Sequence, residues 1–297
     1  MLGLSVSRWV EAHDGTQLHA VVTRPGGKRR PRAAVVLIHG FTMATPFWSQ
    51  QLEDLGQDHL VITYDQRGHG RSGAAQGTGF SLETLGADLD AVVRALVPPD
   101  LAAVAAGHSM GGMAIMGWAA HTAGNPGARG LHGAVLCNTT AHNVAGGLVR
   151  QIPPWISGPL LGSLVPLITM PVRLEGPALP VLRTAMRVMA FGRGASESDR
   201  IRTEHLLRAT HPVARSKAAR FLWSMDARDA LDHLTVPTTV VVGEQDRLTP
   251  AARGREIADH LGARLVVLPD AGHQGPMEAP GTVNRVIRSV VDDVLRG

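Results

Sequence analysis

The sequence predicts an α/β fold, a mostly parallel and doubly wound sheet of about eight strands that carries helices on both faces. Short apolar runs rich in β-branched residues alternate with segments of helical periodicity along most of the chain. Runs such as Ala33–Ile38 show no polar alternation, as expected of parallel strands buried on both faces. The alternation stops between about Thr140 and Arg220, which predicts an inserted helical segment.

Eight strand-like runs and five helical segments follow one another along the chain. The strands are Leu4–Glu11, Gln17–Thr23, Ala33–Ile38, His59–Tyr64, Leu101–Ala106, Leu131–Leu136, Thr238–Val242 and Ala263–Leu268. The helices are Pro46–Leu55, Ser81–Leu96, Met110–Ala120, one that starts at Thr249-Pro250, and Pro280–Leu295. Asp14-Gly15 predicts a tight hairpin turn between the first two strands. Ser81 is expected to cap its helix, and Thr249 to cap another just before a first-turn proline.

The break in the alternation divides the chain into a core and a cap. We expect residues 1–139 and 221–297 to form the α/β core and residues 140–220 to form a helical cap or lid. The core then comes from two separate parts of the chain, with the cap leaving it after the sixth strand.

The predicted cap combines an apolar part with a basic part. Between Arg150 and Arg173 lie 22 uncharged residues, but five of them are prolines, which would break a membrane-spanning helix. Arg183–Arg220 holds nine basic and three acidic residues, a local charge of +6. We expect the uncharged Gln151–Val172 segment to pack inward and any contact with a membrane to be incidental.

The composition excludes several classes of protein. The 297 residues are 44% hydrophobic and 18% charged, unlike a disordered chain. Cys137 is the single cysteine, which excludes a disulfide framework and a cysteine-rich metal site. The net charge is +4 and aromatic residues make up only 4%, so we expect no nucleic-acid partner. Met1–Val10 lacks the pattern of a signal peptide, and we expect a cytoplasmic protein.

The strongest chemical signal is Gly107-His108-Ser109-Met110-Gly111, which follows a buried strand and opens a helix. The G-x-S-x-G pattern in this context predicts a sharp turn that exposes the serine hydroxyl at a helix N-terminus. Glycines on either side remove the side chains that would clash across so tight a turn. We therefore predict that Ser109 is a nucleophile, and we expect His108 to point away from the site.

A serine nucleophile needs a base and a carboxylate that orients the base. His273 follows the last predicted strand, and Asp246 follows the strand before it, so both should lie at the sheet edge that carries Ser109. Glu244 is the nearest competitor for the carboxylate role, but it is one residue out of the strand and is expected to be solvated. The resulting chain order of Ser, Asp and His is the order that the elbow motif predicts.

The oxyanion of such a reaction needs two backbone donors. His39-Gly40-Phe41-Thr42 follows a buried strand, and the N–H groups of Phe41 and Met110 could converge on one oxygen. Gly40 would let the backbone come close, and we expect Gly40 and Thr42 to contact substrate. Trp155 and its apolar neighbours could line an acyl pocket or form the cap's own core, and the sequence leaves both alternatives open.

Taken together, these residues resemble the α/β-hydrolase family. The resemblance covers nearly the whole chain outside Thr140–Arg220 and includes His39-Gly40, Asp65–Ser72, the elbow, Asp246 and His273. In that family the D-x-R-G-x-G-x-S stretch is a structural turn, so neither Asp65 nor His69 is expected to act in catalysis. The Gly-His-Ser-Met-Gly-Gly form is similar to that of monoacylglycerol lipases and related esterases, but also of other branches.

The resemblance implies a serine hydrolase that cleaves an apolar carboxylic ester, with a small lipophilic substrate. Thioesterases, lactonases, carbon–carbon hydrolases and non-hydrolytic enzymes of the same fold share these residues and remain alternatives. A catalytically silent receptor would be expected to lack a triad member, and none is missing. No phosphate-binding loop and no H-E-x-x-H spacing occurs, so we expect no cofactor and no metal ion. The oligomeric state stays open.

Overall fold

A computed structural model of the protein describes residues 2–27, 29–76, 79–124, 130–142, 144, 169–175 and 178–297. All eight strands of its sheet lie within these ranges. Trp155 and most of the uncharged Gln151–Val172 segment lie outside the described residues, so their place in a cap stays a prediction.

A single sheet runs through the described part of the molecule. Its strands are β1 (Leu2–Glu11), β2 (Gln17–Pro25), β3 (Ala34–Ile38), β4 (Leu60–Tyr64), β5 (Ala103–His108), β6 (Gly133–Cys137), β7 (Thr238–Gly243) and β8 (Arg264–Leu268). Their order across the sheet is β1-β2-β4-β3-β5-β6-β7-β8. β2 pairs antiparallel with β1 and β4, and all other neighbours run parallel. The predicted α/β class with a mostly parallel sheet is therefore confirmed.

Helices connect the strands and cover both faces of the sheet. Within the described ranges they are α1 (Ser49–Leu55), α2 (Leu82–Leu96), α3 (Met110–Thr122), α4 (Ala178–Ala190), α5 (Glu197–Ala209), α6 (Pro212–Ser224), α7 (Arg228–Leu231), α8 (Ala251–Leu261), α9 (Gly275–Glu278) and α10 (Pro280–Arg296). Ser81 caps α2 as expected, because its hydroxyl accepts from Thr84 N at 3.0 Å. The prediction that Thr249 caps a helix is wrong. Pro250 holds the N-cap position of α8. The Thr249 hydroxyl instead lies 2.7 Å from the buried carboxylate of Asp246.

Alternate residues of the central strands pack into two hydrophobic cores on opposite faces of the sheet. In β3, Val36 and Ile38 pack into the core that also contains α2 and α3. Val35 and Leu37 pack into the core completed by α10. The unbroken apolar runs seen in the sequence thus have a direct physical cause, since both faces of these strands are buried.

Three helices, α4, α5 and α6, follow one another in the predicted cap region. Leu174 and Leu207 form a small hydrophobic cluster of their own there. α6 continues through position 220 as far as Ser224, past the boundary expected from the sequence, and the division into core and cap stays a prediction. No helix in the described part of the chain is long and apolar enough to cross a membrane.

Candidate active site

Ser109 stands at the turn between β5 and α3, where its φ is 51° and its ψ is −117°. A positive φ is strained for a serine and is held by the surrounding structure. A Cβ at Gly107 would lie 2.4 Å from the carbonyl carbon of Gly111, and one at Gly111 would lie 2.1 Å from the carbonyl oxygen of Ile38. Ser109 N donates to Cys137 O at 2.9 Å, which ties the turn to β6. The expected strand–turn–helix geometry is present, with 8% of Ser109 exposed.

His273 and Asp246 are brought together by the parallel pairing of β7 and β8, which they follow in the chain. His273 Nδ1 lies 2.9 Å from Asp246 Oδ2, and the two residues are 6% and 3% exposed. A carboxylate only accepts hydrogen bonds, so Nδ1 donates and Nε2 is the basic nitrogen of the neutral ring. Glu244, the competing carboxylate, is exposed.

Besides His273, three of the described residues donate hydrogen bonds to the Asp246 carboxylate. Its Oδ1 accepts from the backbone N–H groups of Leu248 at 2.9 Å and Thr249 at 2.8 Å. Its Oδ2 lies 2.7 Å from the Thr249 hydroxyl and 3.0 Å from Asn138 Nδ2. These bonds fix the orientation of the carboxylate and satisfy its oxygens in a site that water hardly reaches.

Asn138 and Thr249 are site residues that the sequence reasoning missed. Asn138 follows β6 directly, at the same sheet edge as Ser109, and adopts a φ of 47°. Asparagine tolerates this left-handed region better than most residues. An asparagine directly after a buried strand is therefore a usable signal, whereas the role of Thr249 is visible only from the packed loop.

Among the described residues no hydrogen bond joins the Ser109 hydroxyl to His273. His108, the residue before Ser109 in the chain, contacts the His273 loop, since its Nε2 donates to His273 O at 2.8 Å. The His108 ring stacks on Phe47 and lies 4.9 Å from the His273 ring, centroid to centroid. These contacts are those of a structural residue, since the His108 side chain supports the backbone of the candidate base.

The backbone amides of Phe41 and Met110, near Ser109, have no acceptor in the described part of the chain. Met110 is the first residue of α3, where an N–H has no partner within the helix. Gly40 packs against the elbow so closely that a Cβ there would lie 3.0 Å from Ser109 Cβ. Thr42 is buried with a φ of 60°, and its hydroxyl donates to Phe41 O at 2.7 Å. These residues border the elbow, and contact with substrate stays a prediction for Gly40 and Thr42.

The other imidazoles near the elbow are neutral. Burial lowers the pKa of His39 and His108 and lowers the pKa of His69 to about 3. His39 Nδ1 donates to Gly40 O at 2.8 Å while its Nε2 accepts from Gln66 N at 2.9 Å, as a single neutral tautomer requires. These rings shape the site without adding positive charge to it.

A second buried histidine–carboxylate pair, His19 and Asp65, holds the D-x-R-G-x-G-x-S turn. His19 Nδ1 lies 2.9 Å from Asp65 Oδ2, and Asp65 also accepts from the backbone of Thr45 at 2.7 Å and Arg71 at 3.0 Å. A Cβ at Gly70 would lie 2.3 Å from the Asp65 carboxyl carbon. The contacts of Asp65 are those of a structural residue.

Comparison with known proteins points to one family. A family model described as serine aminopeptidase, S33, matches residues 29–280. A 3-oxoadipate enol-lactonase from Acinetobacter baylyi is 25% identical over 266 residues, which is 88% of this chain and 89% of that protein. A non-heme haloperoxidase from Rhodococcus erythropolis is 28% identical over 293 residues, covering 96% and 99% of the two chains.

Solved structures agree on the fold. An esterase from Exiguobacterium antarcticum superposes with a TM-score of 0.74 over 97% of this chain and 100% of its own, at 20% identity. At that identity the likeness concerns the fold alone. The resemblance to α/β-hydrolases is confirmed, and with its family model matched over residues 29–280 this chain belongs to the serine aminopeptidase S33 family of α/β-hydrolases.

Proposed function

We propose that this enzyme hydrolyses a carboxylic ester through Ser109, His273 and Asp246. The observation that carries the proposal is the bond of 2.9 Å between His273 and a buried, fully satisfied Asp246. It supplies an oriented base at the same sheet edge as a serine held in a strained turn, and nucleophilic catalysis requires a base of this kind.

In the first half of the reaction, Ser109 Oγ attacks the ester carbonyl carbon while His273 Nε2 takes the hydroxyl proton. The carbonyl oxygen becomes an oxyanion that the Phe41 and Met110 amides can bind, which lowers the barrier by several kcal/mol in related sites. The intermediate then collapses, the carbon–oxygen bond to the alcohol breaks, and His273 returns its proton to the departing oxygen. Asp246 stabilises the transient imidazolium without taking the proton.

In the second half, a water molecule attacks the acyl group on Ser109. His273 removes one proton from that water and later gives it to Ser109 Oγ as the acyl–oxygen bond breaks. The products are an alcohol and a carboxylic acid, so the reaction consumes one water for each ester. No other reactant is required by these steps.

A lactone is the second candidate substrate. The relative named as a 3-oxoadipate enol-lactonase aligns over 88% of this chain, and a lactone is a cyclic ester that the same steps would open. The uncharged Gln151–Val172 segment supports a lipophilic substrate in either case.

Two measurements test the proposal together. A fluorophosphonate probe should form an adduct on Ser109, located by peptide mass spectrometry. A series of chromogenic esters from acetate to octanoate, assayed beside a simple lactone, should give measurable turnover and favour the longer acyl chains. Absence of a Ser109 adduct in folded protein would contradict the nucleophile assignment, and a preference for acetate would contradict the apolar acyl site.

A further inference from the structure

Residues 188–194, which are the end of α4 and the stretch after it, contact both loops that carry the candidate acid–base pair. The backbone N–H groups of His273 and Gln274 lie 2.9 Å and 3.3 Å from Ala190 O. Gly194 N donates to Asp270 O at 3.2 Å. The loop of the candidate base is therefore hydrogen-bonded to a segment from the predicted cap region.

At the junction between residues 188–194 and the His273 loop, the two backbones lie in close contact. A Cβ at Gly192 would lie 2.2 Å from Asp270 O, and one at Gly272 would lie 2.4 Å from Gly192 N. A Cβ at Gly243, the last residue of β7, would lie 2.2 Å from Gly272 O. Real Cβ atoms do not approach so closely, so any side chain here would push the segment and the loop apart.

The carboxylate of Glu278, at the end of α9, holds the junction together. Its Oε2 accepts from Gly192 N at 2.7 Å and from Gly272 N at 3.0 Å. Its Oε1 accepts at 3.0 Å from both Gly272 N and Gln274 N, the two residues that flank His273. Burial raises the pKa of Glu278, although these backbone donors act in the opposite direction. One side chain thus bonds to the neighbours of His273 and to the crossing segment.

The same segment also reaches the loop of the acid. Arg193 N donates to Gln245 Oε1 at 3.0 Å, and Arg247 Nη1 donates to Val188 O at 2.7 Å. Gln245 and Arg247 are the two neighbours of Asp246 in the chain. A displacement of residues 188–194 would therefore be transmitted to both loops.

We propose that Glu278 is a positioning residue through which the segment 188–194 sets the place of His273 relative to Ser109. Glu278 does not touch the reacting atoms, and it acts through the backbone on either side of the base. The inference rests on the proposed function, because it concerns the alignment of the same Ser109–His273–Asp246 site. It predicts that the cap region influences turnover through the base.

Two matched pairs of variants test the proposal. Glu278→Gln keeps the size of the side chain but places an amide NH2 group opposite backbone donors. Glu53→Gln is its control at an exposed position of α1. Gly192→Ala pushes the segment away from the His273 loop. Gly194→Ala is its control, since a Cβ there would lie 3.5 Å from Asp270 O, an ordinary contact.

The readouts are kcat and KM on the best ester, the rate of fluorophosphonate labelling against pH, and the melting temperature. Misplacement of a catalytic group by about 1 Å can cost about a hundredfold, so we expect kcat and labelling to fall roughly tenfold to a hundredfold in Glu278→Gln and Gly192→Ala. KM should change less than about threefold, because ground-state binding is not the target. Both controls should match the wild type.

The pH dependence separates positioning from mere stability. The titratable groups that face His273 are Asp246 from the β7 loop, His108 from the elbow and Glu278 from α9. Removing the Glu278 charge makes the imidazolium less favourable, so the pH of half-maximal labelling should fall in Glu278→Gln. Glu278→Asp keeps the charge on a shorter side chain and should restore that pH but not the full kcat.

The proposal is overturned if Glu278→Gln and Gly192→Ala melt at lower temperature but label and turn over at the wild-type rate. If Glu278→Gln does not fold, the comparison of Gly192→Ala with Gly194→Ala decides, because it leaves the carboxylate in place. Failure of the proposed function looks different, since the wild-type protein itself would then neither turn over esters nor form a Ser109 adduct.

Discussion

The candidate nucleophile and the candidate acid–base pair of this protein are built in different ways. The elbow is local, since Ser109 is shaped by Gly107 and Gly111, two residues away on either side, and by the strand ends of Ile38 and Cys137. The acid–base pair is assembled from distant parts of the chain, where Asn138, Thr249 and Glu278 bond to Asp246 or to the backbone beside His273.

This difference indicates how the Ser109 elbow and the His273–Asp246 pair should each respond to substitutions. A steric turn is encoded in a few adjacent residues and can be recognised by its pattern. An aligned hydrogen-bond pair depends on contacts that no single stretch of sequence contains. Variants of the elbow should abolish the chemistry, whereas variants around the pair should reduce it by degrees.

The largest effect is expected for Ser109, the candidate nucleophile. Ser109→Ala should reduce ester turnover on the order of a millionfold, as loss of the catalytic serine does in a known serine hydrolase. The cause is chemical, since the methyl group has no oxygen to attack the carbonyl. Steady-state assays on the best ester measure this, with Ser224→Ala on an exposed position as the control. If Ser109→Ala kept more than a few per cent of the wild-type rate, the nucleophile would lie elsewhere.

The next effect tests which carboxylate orients the base. Asp246→Asn should lower kcat by roughly ten-thousandfold, because His273 loses its anion and its correct tautomer. Glu244→Gln should change kcat little, since Glu244 is exposed beside the same loop. Parallel kinetics on the two variants provide the comparison. The opposite ranking would transfer the acid role to Glu244.

A smaller effect is expected at the support of the acid. Thr249→Val removes the hydroxyl that lies 2.7 Å from Asp246 Oδ2. A hydrogen bond to a charged group contributes about 1.5–3 kcal/mol, which corresponds to a kcat loss of roughly tenfold to a hundredfold. Thr238→Val, at the other end of β7, is the matched control. Equal rates in both variants would show that Asn138 and the backbone donors hold Asp246 without the Thr249 hydroxyl.

The neutral imidazoles behind the elbow predict how stability changes with pH. Burial lowers the pKa of His69 to about 3, so the folded state stays neutral there while the unfolded chain takes up a proton below an ordinary value of about 6.5. The free energy of unfolding should therefore be unaffected above about pH 6.5 and should fall as the pH is lowered below it. At pH 5 the contribution of His69 to this loss is about 2 kcal/mol.

Urea unfolding at pH 7.5 and pH 5 measures this loss. The difference should shrink in His69→Gln, which does not titrate, and persist in His233→Gln, whose histidine is exposed. A pH difference that is the same in both variants would mean that His69 is not the group responsible.

The smallest effect is expected at Cys137, whose carbonyl accepts from Ser109 N. Burial raises the pKa of its thiol to about 12, so the reactive thiolate is scarce at neutral pH. A thiol reagent such as dithionitrobenzoate should react with it at the rate of unfolding and leave esterase activity unchanged before then. Rapid reaction in the native protein would show that the Cys137 thiol, next to the Ser109 turn, is accessible to the reagent.

Most of the fold was predictable because its signals are local. The apolar run at Ala33–Ile38 and the Ser81 cap depend on residues within a few positions of one another, and both appear as expected. Ser109, Asp246 and His273 could be named because parallel strands place their carboxyl ends at one edge. Thr249 was misread because a cap and a ligand of a buried carboxylate share the same local sequence, and only packing distinguishes them.

By itself, the sequence determined the order of strands and helices, the strained serine turn and the sheet edge at which the candidate triad lies. Periodicity and steric exclusion act over short stretches, so they can be recognised in the printed residues. The tertiary structure alone decided that His108 bonds to the backbone of His273, that Asn138 and Thr249 hold Asp246, and that Glu278 joins the His273 loop to residues 188–194. These contacts join residues far apart in the chain, and they exist only once the packed sheet has placed their backbones within hydrogen-bond distance.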